Sequence, residues 1–119
     1  GGGEAAYHYD EAFGPECTQE DVYNRSVASI CESVLRGYTG AVIAYGQTGS
    51  GKTYTMVGSA RDRGVAPLAV TAIFNALAKR SCWSAEVSVL EIYNERVRDL
   101  LAPGVCNVDV HEVRAEREG

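Results

Sequence analysis

One stretch constrains this chain more than any other. Gly46-Gln47-Thr48-Gly49-Ser50-Gly51-Lys52-Thr53 fits the spacing G-x-x-x-x-G-K-[ST] without a mismatch. Immediately before it, Ala41-Val42-Ile43-Ala44-Tyr45 is a near-continuous apolar run bounded by Gly40 and Gly46, the pattern of a strand covered on both faces. A short helical stretch follows. A buried strand that passes through a glycine loop into a helix predicts an α/β fold, a sheet with helices packed on it. It also predicts an anion site. A phosphate has several charged oxygens and needs many donors at close range, so the loop must turn sharply and expose its backbone N–H groups. Gly46, Gly49 and Gly51 reach backbone angles closed to other residues, and the helix start adds the positive end of its dipole. Lys52 supplies a mobile positive charge. In the general mechanics of such loops the lysine reaches the β- and γ-phosphates and the Thr53 hydroxyl ligates Mg²⁺, so nucleoside triphosphate binding is the expectation.

At 119 residues the chain has room for one domain. Its apolar content of 45% with 23% charged residues is that of a globular chain, and a packed core is expected. The net charge of −5 argues against a nucleic-acid or anionic-membrane binder held by bulk charge. That charge is unevenly spread. Residues 1–40 carry seven acids and two bases, residues 41–85 one acid and five bases, and residues 86–119 eight acids and four bases. An anion site therefore belongs in the middle. Cys17, Cys31, Cys82 and Cys106 form no C-x-x-C pair and follow no signal-peptide core, which points away from zinc and disulfide frameworks. No apolar run approaches the roughly 20 residues that span a bilayer, and the expected setting is soluble, reducing and intracellular.

Along the chain, residues 7–10 alternate as a short strand would, and Phe13-Gly14-Pro15-Glu16 reads as a turn. From Thr18 the period changes. Val22, Tyr23, Val27, Ile30, Cys31, Val34 and Leu35 recur at helical spacing, with Thr18 as the cap, Glu20 and Asp21 in the first turn, and Arg36 and Gly37 at the end. Residues 58–64 read as an exposed loop. Residues 67–80 return to helical spacing through Leu68, Ala69, Ala72, Ile73, Ala76 and Leu77, with Lys79 and Arg80 at the C-terminal end. Residues 85–93 are rich in β-formers, Asn94-Glu95 reads as a turn into residues 96–101, and Ala102-Pro103-Gly104 breaks the chain. Val108-Asp109-Val110-His111 alternates like the start of a strand, yet residues 112–119 are charged, so the chain is expected to stop within its fold. Gly1-Gly2-Gly3 carries no functional weight.

The wider segment Ala44-Tyr45-Gly46-Gln47-Thr48-Gly49-Ser50-Gly51-Lys52-Thr53-Tyr54-Thr55-Met56 resembles the phosphate loop of the kinesin motor family. Tyr9-Asp10-Glu11-Ala12-Phe13, Thr18-Gln19, Gly37-Tyr38, Leu90-Glu91-Ile92-Tyr93-Asn94-Glu95 and Asp99-Leu100-Leu101 extend the resemblance in family order. It is clear over residues 7–101 and weak over 102–119. The resemblance implies a partial P-loop NTPase motor core, a central mixed sheet with flanking helices, truncated, with residues 1–6 a flexible end and 7–119 part of the motor domain. It implies a microtubule-based motor that couples MgATP hydrolysis to movement. Gly46, Gln47, Thr48, Gly49, Ser50, Gly51, Lys52, Thr53 and Tyr54 would hold the nucleotide, Tyr54 against the adenine ring, and Thr53 the Mg²⁺. Partners would be microtubules, met mostly through regions outside this chain, with no nucleic acid and no membrane. The setting would be the cytoplasm and its cytoskeleton, and the parent a homodimer through a coiled coil.

The chain departs from the family pattern at Thr39, where the family has Asn, and at Leu68, near where it has Arg. The R-x-R-P strand, the switch I serine-arginine motif and the switch II D-L-A-G-S-E segment are not found in it. With no switch to order around the γ-phosphate, the 119 residues alone are not expected to cycle. Two other readings stay open. One is a nucleotide-binding remnant or pseudo-motor with no ATPase activity. The other is a non-motor phosphate-loop ATPase in which the strand Val87-Ser88-Val89-Leu90-Glu91 brings Glu91 to magnesium, although the matching kinesin strand is a scaffold. His8 and His111 have no partner at ligand spacing. Trp83 is expected beside the second helix, and Arg61-Asp62-Arg63 is expected to be a solvated loop tip.

Overall fold

The computed structural model describes residues 6–102, which fall into two units that divide after Trp83. In the first unit the chain becomes helical at Thr18. Its backbone is extended (φ −82°, ψ 166°), its Oγ1 accepts the Asp21 N–H at 3.1 Å, and the Asp21 carboxylate accepts the Thr18 N–H at 2.9 Å. This reciprocal capping box satisfies two donors that a helix start leaves orphaned. Helix α1 (Gln19–Val22) runs without leaving helical angles into a π turn (Tyr23–Val27) and then α2 (Ala28–Leu35).

The π turn corrects the expectation of one regular α-helix. The Ala28 N–H reaches five residues back to the Tyr23 carbonyl, which widens the turn and brings Val22 and Val27 toward one side, where an α-helix would set them apart. Val27 is buried in the core and Val22 packs against it. At the far end Gly37 has φ +99°, its N–H bonds the Val34 carbonyl at 2.9 Å, and the Tyr38 N–H bonds the Ser33 carbonyl at 3.1 Å. This is the left-handed glycine cap expected from the sequence.

The cap makes the helix start sensitive to acid. Hydrogen bonds from the Thr18 N–H and hydroxyl hold the Asp21 carboxyl below its ordinary value of 3.8, with a smaller pull from Arg25. A carboxyl whose folded pKa is depressed stabilises fully above its unfolded pKa and loses that contribution as pH falls through the folded one. Helicity followed by circular dichroism should therefore be level from neutrality to about pH 4 and fall below it. Asp21→Ala should remove that acid step.

Helix α3 (Lys52–Met56) follows the glycine loop, and α4 (Val65–Leu77) follows Gly64. The predicted 67–80 helix thus begins two residues early, because Pro67 sits in the first turn, where its missing N–H is not needed. It also ends before Lys79 and Arg80. Arg80 instead donates from Nη2 to the Leu35 carbonyl at 2.8 Å, closing the end of α2. The stripe Leu68, Ala69, Ala72, Ile73, Ala76 and Leu77 is half-buried throughout, while Val70, Thr71, Phe74 and Asn75 are exposed. Trp83 packs its ring against the edge of Phe74, with centroids 5.8 Å apart at 86°. The core is small. Val27, Cys31 and Val65 are buried, ringed by Val22, Tyr23, Met56, Ala69 and Ile73.

The apolar run 41–45 is a second correction. It forms no strand, and Ile43 and Tyr45 are 85% and 100% exposed. A strand covered on both faces needs ladder neighbours from distant parts of a chain. Among the described residues none pairs with it, so the expected central sheet does not form there. No described helix is long and apolar enough to cross a membrane.

Among the described residues of the second unit, β1 (Leu90–Tyr93) and β2 (Arg96–Asp99) form an antiparallel hairpin in the register Leu90↔Asp99 to Tyr93↔Arg96. Asn94 and Glu95 turn it with φ +48° and +59°, the two left-handed residues of a tight hairpin turn. The strand expected from residue 85 thus starts at Leu90, and residues 96–99 are its return strand. Gly1-Gly2-Gly3, Cys106, Val108-Asp109-Val110-His111 and residues 112–119 lie outside the described residues.

Candidate functional site

The glycine loop is built by its smallest residues. Gly46, contrary to the expectation from the sequence, does not use a left-handed backbone; a Cβ there would lie 2.6 Å from the Ser50 Oγ, a side-chain end that would have to swing aside. The Ser50 N–H bonds the Gln47 carbonyl at 3.2 Å, which makes residues 47–50 a tight turn. Gly49 and Gly51 have φ +80° and +91°. These left-handed steps turn the backbone so that α3 begins at once, at Lys52. Among the described residues, no backbone carbonyl takes the N–H of Gly49, Gly51, Lys52 or Thr53. Donors clustered at a helix start attract anions.

Thr48, Gly49, Gly51, Lys52, Thr53 and Tyr54 line a hollow of about 510 Å³, with no carboxylate lining it among the described residues. Gly46, Gln47 and Ser50 shape the loop behind it. The Lys52 ammonium donates to the Gly46 carbonyl at 2.7 Å and the Gln47 carbonyl at 2.6 Å. Both bonds join a flexible stem to exposed backbone, so the charge rests on the rim within one swing of the hollow. The donor set suits a phosphate chain: backbone N–H groups, one ammonium, and hydroxyls from Thr48 and Thr53. The Thr53 hydroxyl belongs to a residue exposed at the first turn of α3, where a cation beside such a chain can be reached.

Two neighbours of the loop escaped the sequence reading of the site. Gln19, only 4% exposed, donates from Nε2 to the Tyr54 carbonyl at 2.5 Å, fastening α1 to α3. Its place at a helix start was visible, but not the burial that makes it a strut. Asp62 accepts a hydrogen bond from the Tyr54 hydroxyl. That bond is the main reason why the Tyr54 phenol titrates above its ordinary value of 10.0, with desolvation second. Arg61, Asp62 and Arg63 are all exposed, as expected of a loop tip, yet Asp62 is partnered rather than merely solvated. The available signal was that Asp62 is the one acid in residues 41–85. Tyr54 is 55% exposed and is one of the residues that line the hollow.

Elsewhere, Arg25 pairs with Glu11 and lies 4.9 Å from the centre of the Phe13 ring, tying the residues before the first helix to the π turn. Glu91 faces Arg98 across the hairpin at 3.4 Å, an exposed cross-strand ion pair. His8 is exposed. Cys17, Cys31 and Cys82 are free thiols.

Comparison with known proteins adds to this geometry. A family model of the kinesin motor domain matches residues 2–118. The chain is 41% identical over 116 residues to a kinesin heavy chain of Neurospora crassa, covering 92% of this chain and 12% of that protein. It is 44% identical over 116 residues to a kinesin heavy chain of Caenorhabditis elegans, covering 92% of this chain and 14% of that one. To the kinesin-like protein KIN-5A of Arabidopsis thaliana it is 49% identical over 105 residues, covering 80% of this chain and 10% of that protein. The chain thus spans only a small part of the length of the curated relatives it matches.

Proposed function

The chain belongs to the kinesin motor domain family, and from that premise we propose that residues 7–119 are the nucleotide-holding part of a microtubule-based motor that couples MgATP hydrolysis to movement. The observation that carries the proposal is the loop itself. Four N–H groups without a backbone partner, two left-handed glycines and the Lys52 ammonium belong to residues that line one hollow, with no carboxylate lining it among the described residues. The family match supplies the coupled task, which a phosphate cradle alone does not specify.

The N–H groups of Gly49, Gly51, Lys52 and Thr53 bind phosphate oxygens. The Lys52 ammonium leaves the Gly46 and Gln47 carbonyls to balance the charge of the phosphate chain, and the Thr53 hydroxyl is a ligand for Mg²⁺. Tyr54 offers its ring face to the base. Bound MgATP would supply the phosphoanhydride whose cleavage the motor uses, with the metal neutralising charge on the β- and γ-oxygens. The finer architecture belongs to the same proposal: a central mixed sheet with flanking helices. Tubulin is the proposed track, and the microtubule cytoskeleton of the cytoplasm the proposed setting.

The role of Thr53 has its own test. In the full-length protein, Thr53→Asn should weaken nucleotide binding with Mg²⁺ by about tenfold or more while changing binding in excess chelator by about twofold or less. Titration with a fluorescent ATP analogue under both conditions measures this. Equal losses with and without Mg²⁺ would remove Thr53 from the metal site.

A further inference from the structure

We infer that Asp62 is a positioning residue for base recognition, holding the Tyr54 ring by its hydroxyl at the edge of the phosphate hollow. The inference rests on the nucleotide-holding role proposed above and adds to it a residue outside the glycine loop. Tyr54 stands two positions after Lys52, on a helix of five residues. Its backbone is fixed by Gln19, which donates to its carbonyl, and the far end of its ring is fixed by Asp62. A tyrosine whose backbone and hydroxyl are both held loses freedom that would otherwise weaken stacking, while the residue stays 55% exposed.

Asp62 is itself held. Gly58 and Arg63 pair as an isolated antiparallel bridge, the Ser59 N–H bonds the Asp62 carbonyl at 2.8 Å, and the Asp62 N–H bonds the Ser59 Oγ at 3.1 Å. The Gly64 N–H then bonds the Val57 carbonyl at 2.9 Å. The loop is a closed clasp springing from the end of α3, so its carboxylate is presented at a fixed height above the helix that carries Tyr54. The ligand chemistry this fits is a planar heteroaromatic base attached to a phosphate chain. The clasp should contribute to binding only when the base is present.

The test compares MgATP with inorganic tripolyphosphate as ligands of the full-length protein and its variants. Asp62→Ala should weaken MgATP binding by about three- to tenfold, the scale of one hydrogen bond, and leave tripolyphosphate binding unchanged. Asp62→Asn keeps a carbonyl acceptor for the phenol and should stay within about twofold of the parent. Tyr54→Phe should match Asp62→Ala, and the double variant should lose no more than either single one, because both remove the same bond. Unchanged MgATP affinity in Asp62→Ala would overturn the inference, as would equal losses for the two ligands or additive losses in the double variant. Failure of the unmodified protein to bind tripolyphosphate would instead overturn the phosphate-cradle reading on which the inference rests, so the two failures are distinguishable.

Discussion

Lys52→Ala in the full-length protein is expected to lower MgATP affinity on the order of 100-fold and to abolish microtubule-stimulated ATP turnover. Among the described residues Lys52 is the only cation lining the hollow, and charge-assisted hydrogen bonds to phosphate contribute more than neutral ones. Removing it leaves only neutral donors, the backbone N–H groups and the Thr48 and Thr53 hydroxyls, to bind a polyanion. Stability should change little, because the present partners of the ammonium are exposed loop carbonyls that water can satisfy. Lys52→Arg should recover only part of the loss, since a planar guanidinium does not replace a compact charge in a narrow loop. The measurements are an equilibrium nucleotide titration, a thermal melt, and steady-state ATPase with and without microtubules. Microtubule-stimulated turnover unchanged in Lys52→Ala would sink the assignment of the loop.

The second large effect is on stability. Gly58→Ala should destabilise the first unit by about 2–4 kcal/mol. Gly58 has φ +75°, where an L side chain is strained, and its added Cβ would lie 2.2 Å from the Asp62 carbonyl oxygen and 2.3 Å from the Gly64 nitrogen. Both neighbours are backbone, so no side chain can move aside. The clasp must open, and it leads directly into Gly64 and Val65, both buried, the latter among the three core residues. Urea unfolding followed by circular dichroism checks this, with Gly49→Ala as a comparison. Gly49 also has a left-handed backbone, but its added Cβ meets nothing within 4 Å, so it should cost only the strain of its φ. Equal losses for the two variants would show that the packing around Gly58 contributes nothing.

What the sequence made legible is what is decided locally. The Thr18 cap, the Gly37 terminator and the half-buried stripe of α4 are fixed by residues within one or two turns of each other, and all three are present. The Asn94-Glu95 turn is local too. The strand expected at 41–45 depends on partners far away in sequence. Its apolar pattern says that both faces want cover but not which segments cover them. The π turn was invisible for a related reason, since the periodicity of Val22 to Leu35 is compatible with both closures and the packing of Val27 and Cys31 beneath α4 selects one. At the site, the glycine spacing announced the donor cluster, because backbone N–H groups need no particular side chain. Asp62 and Gln19 reach the site through tertiary contacts that leave no period in the sequence.

The central claim is that residues 46–53 hold the phosphates of a nucleotide through their backbone. Amide hydrogen exchange of the full-length protein, with and without MgATP, addresses those N–H groups one by one. Slower exchange at Gly49, Gly51, Lys52 and Thr53 with MgATP, and none with adenosine, is the predicted result. MgATP binding that leaves exchange at these four amides unchanged would contradict the claim.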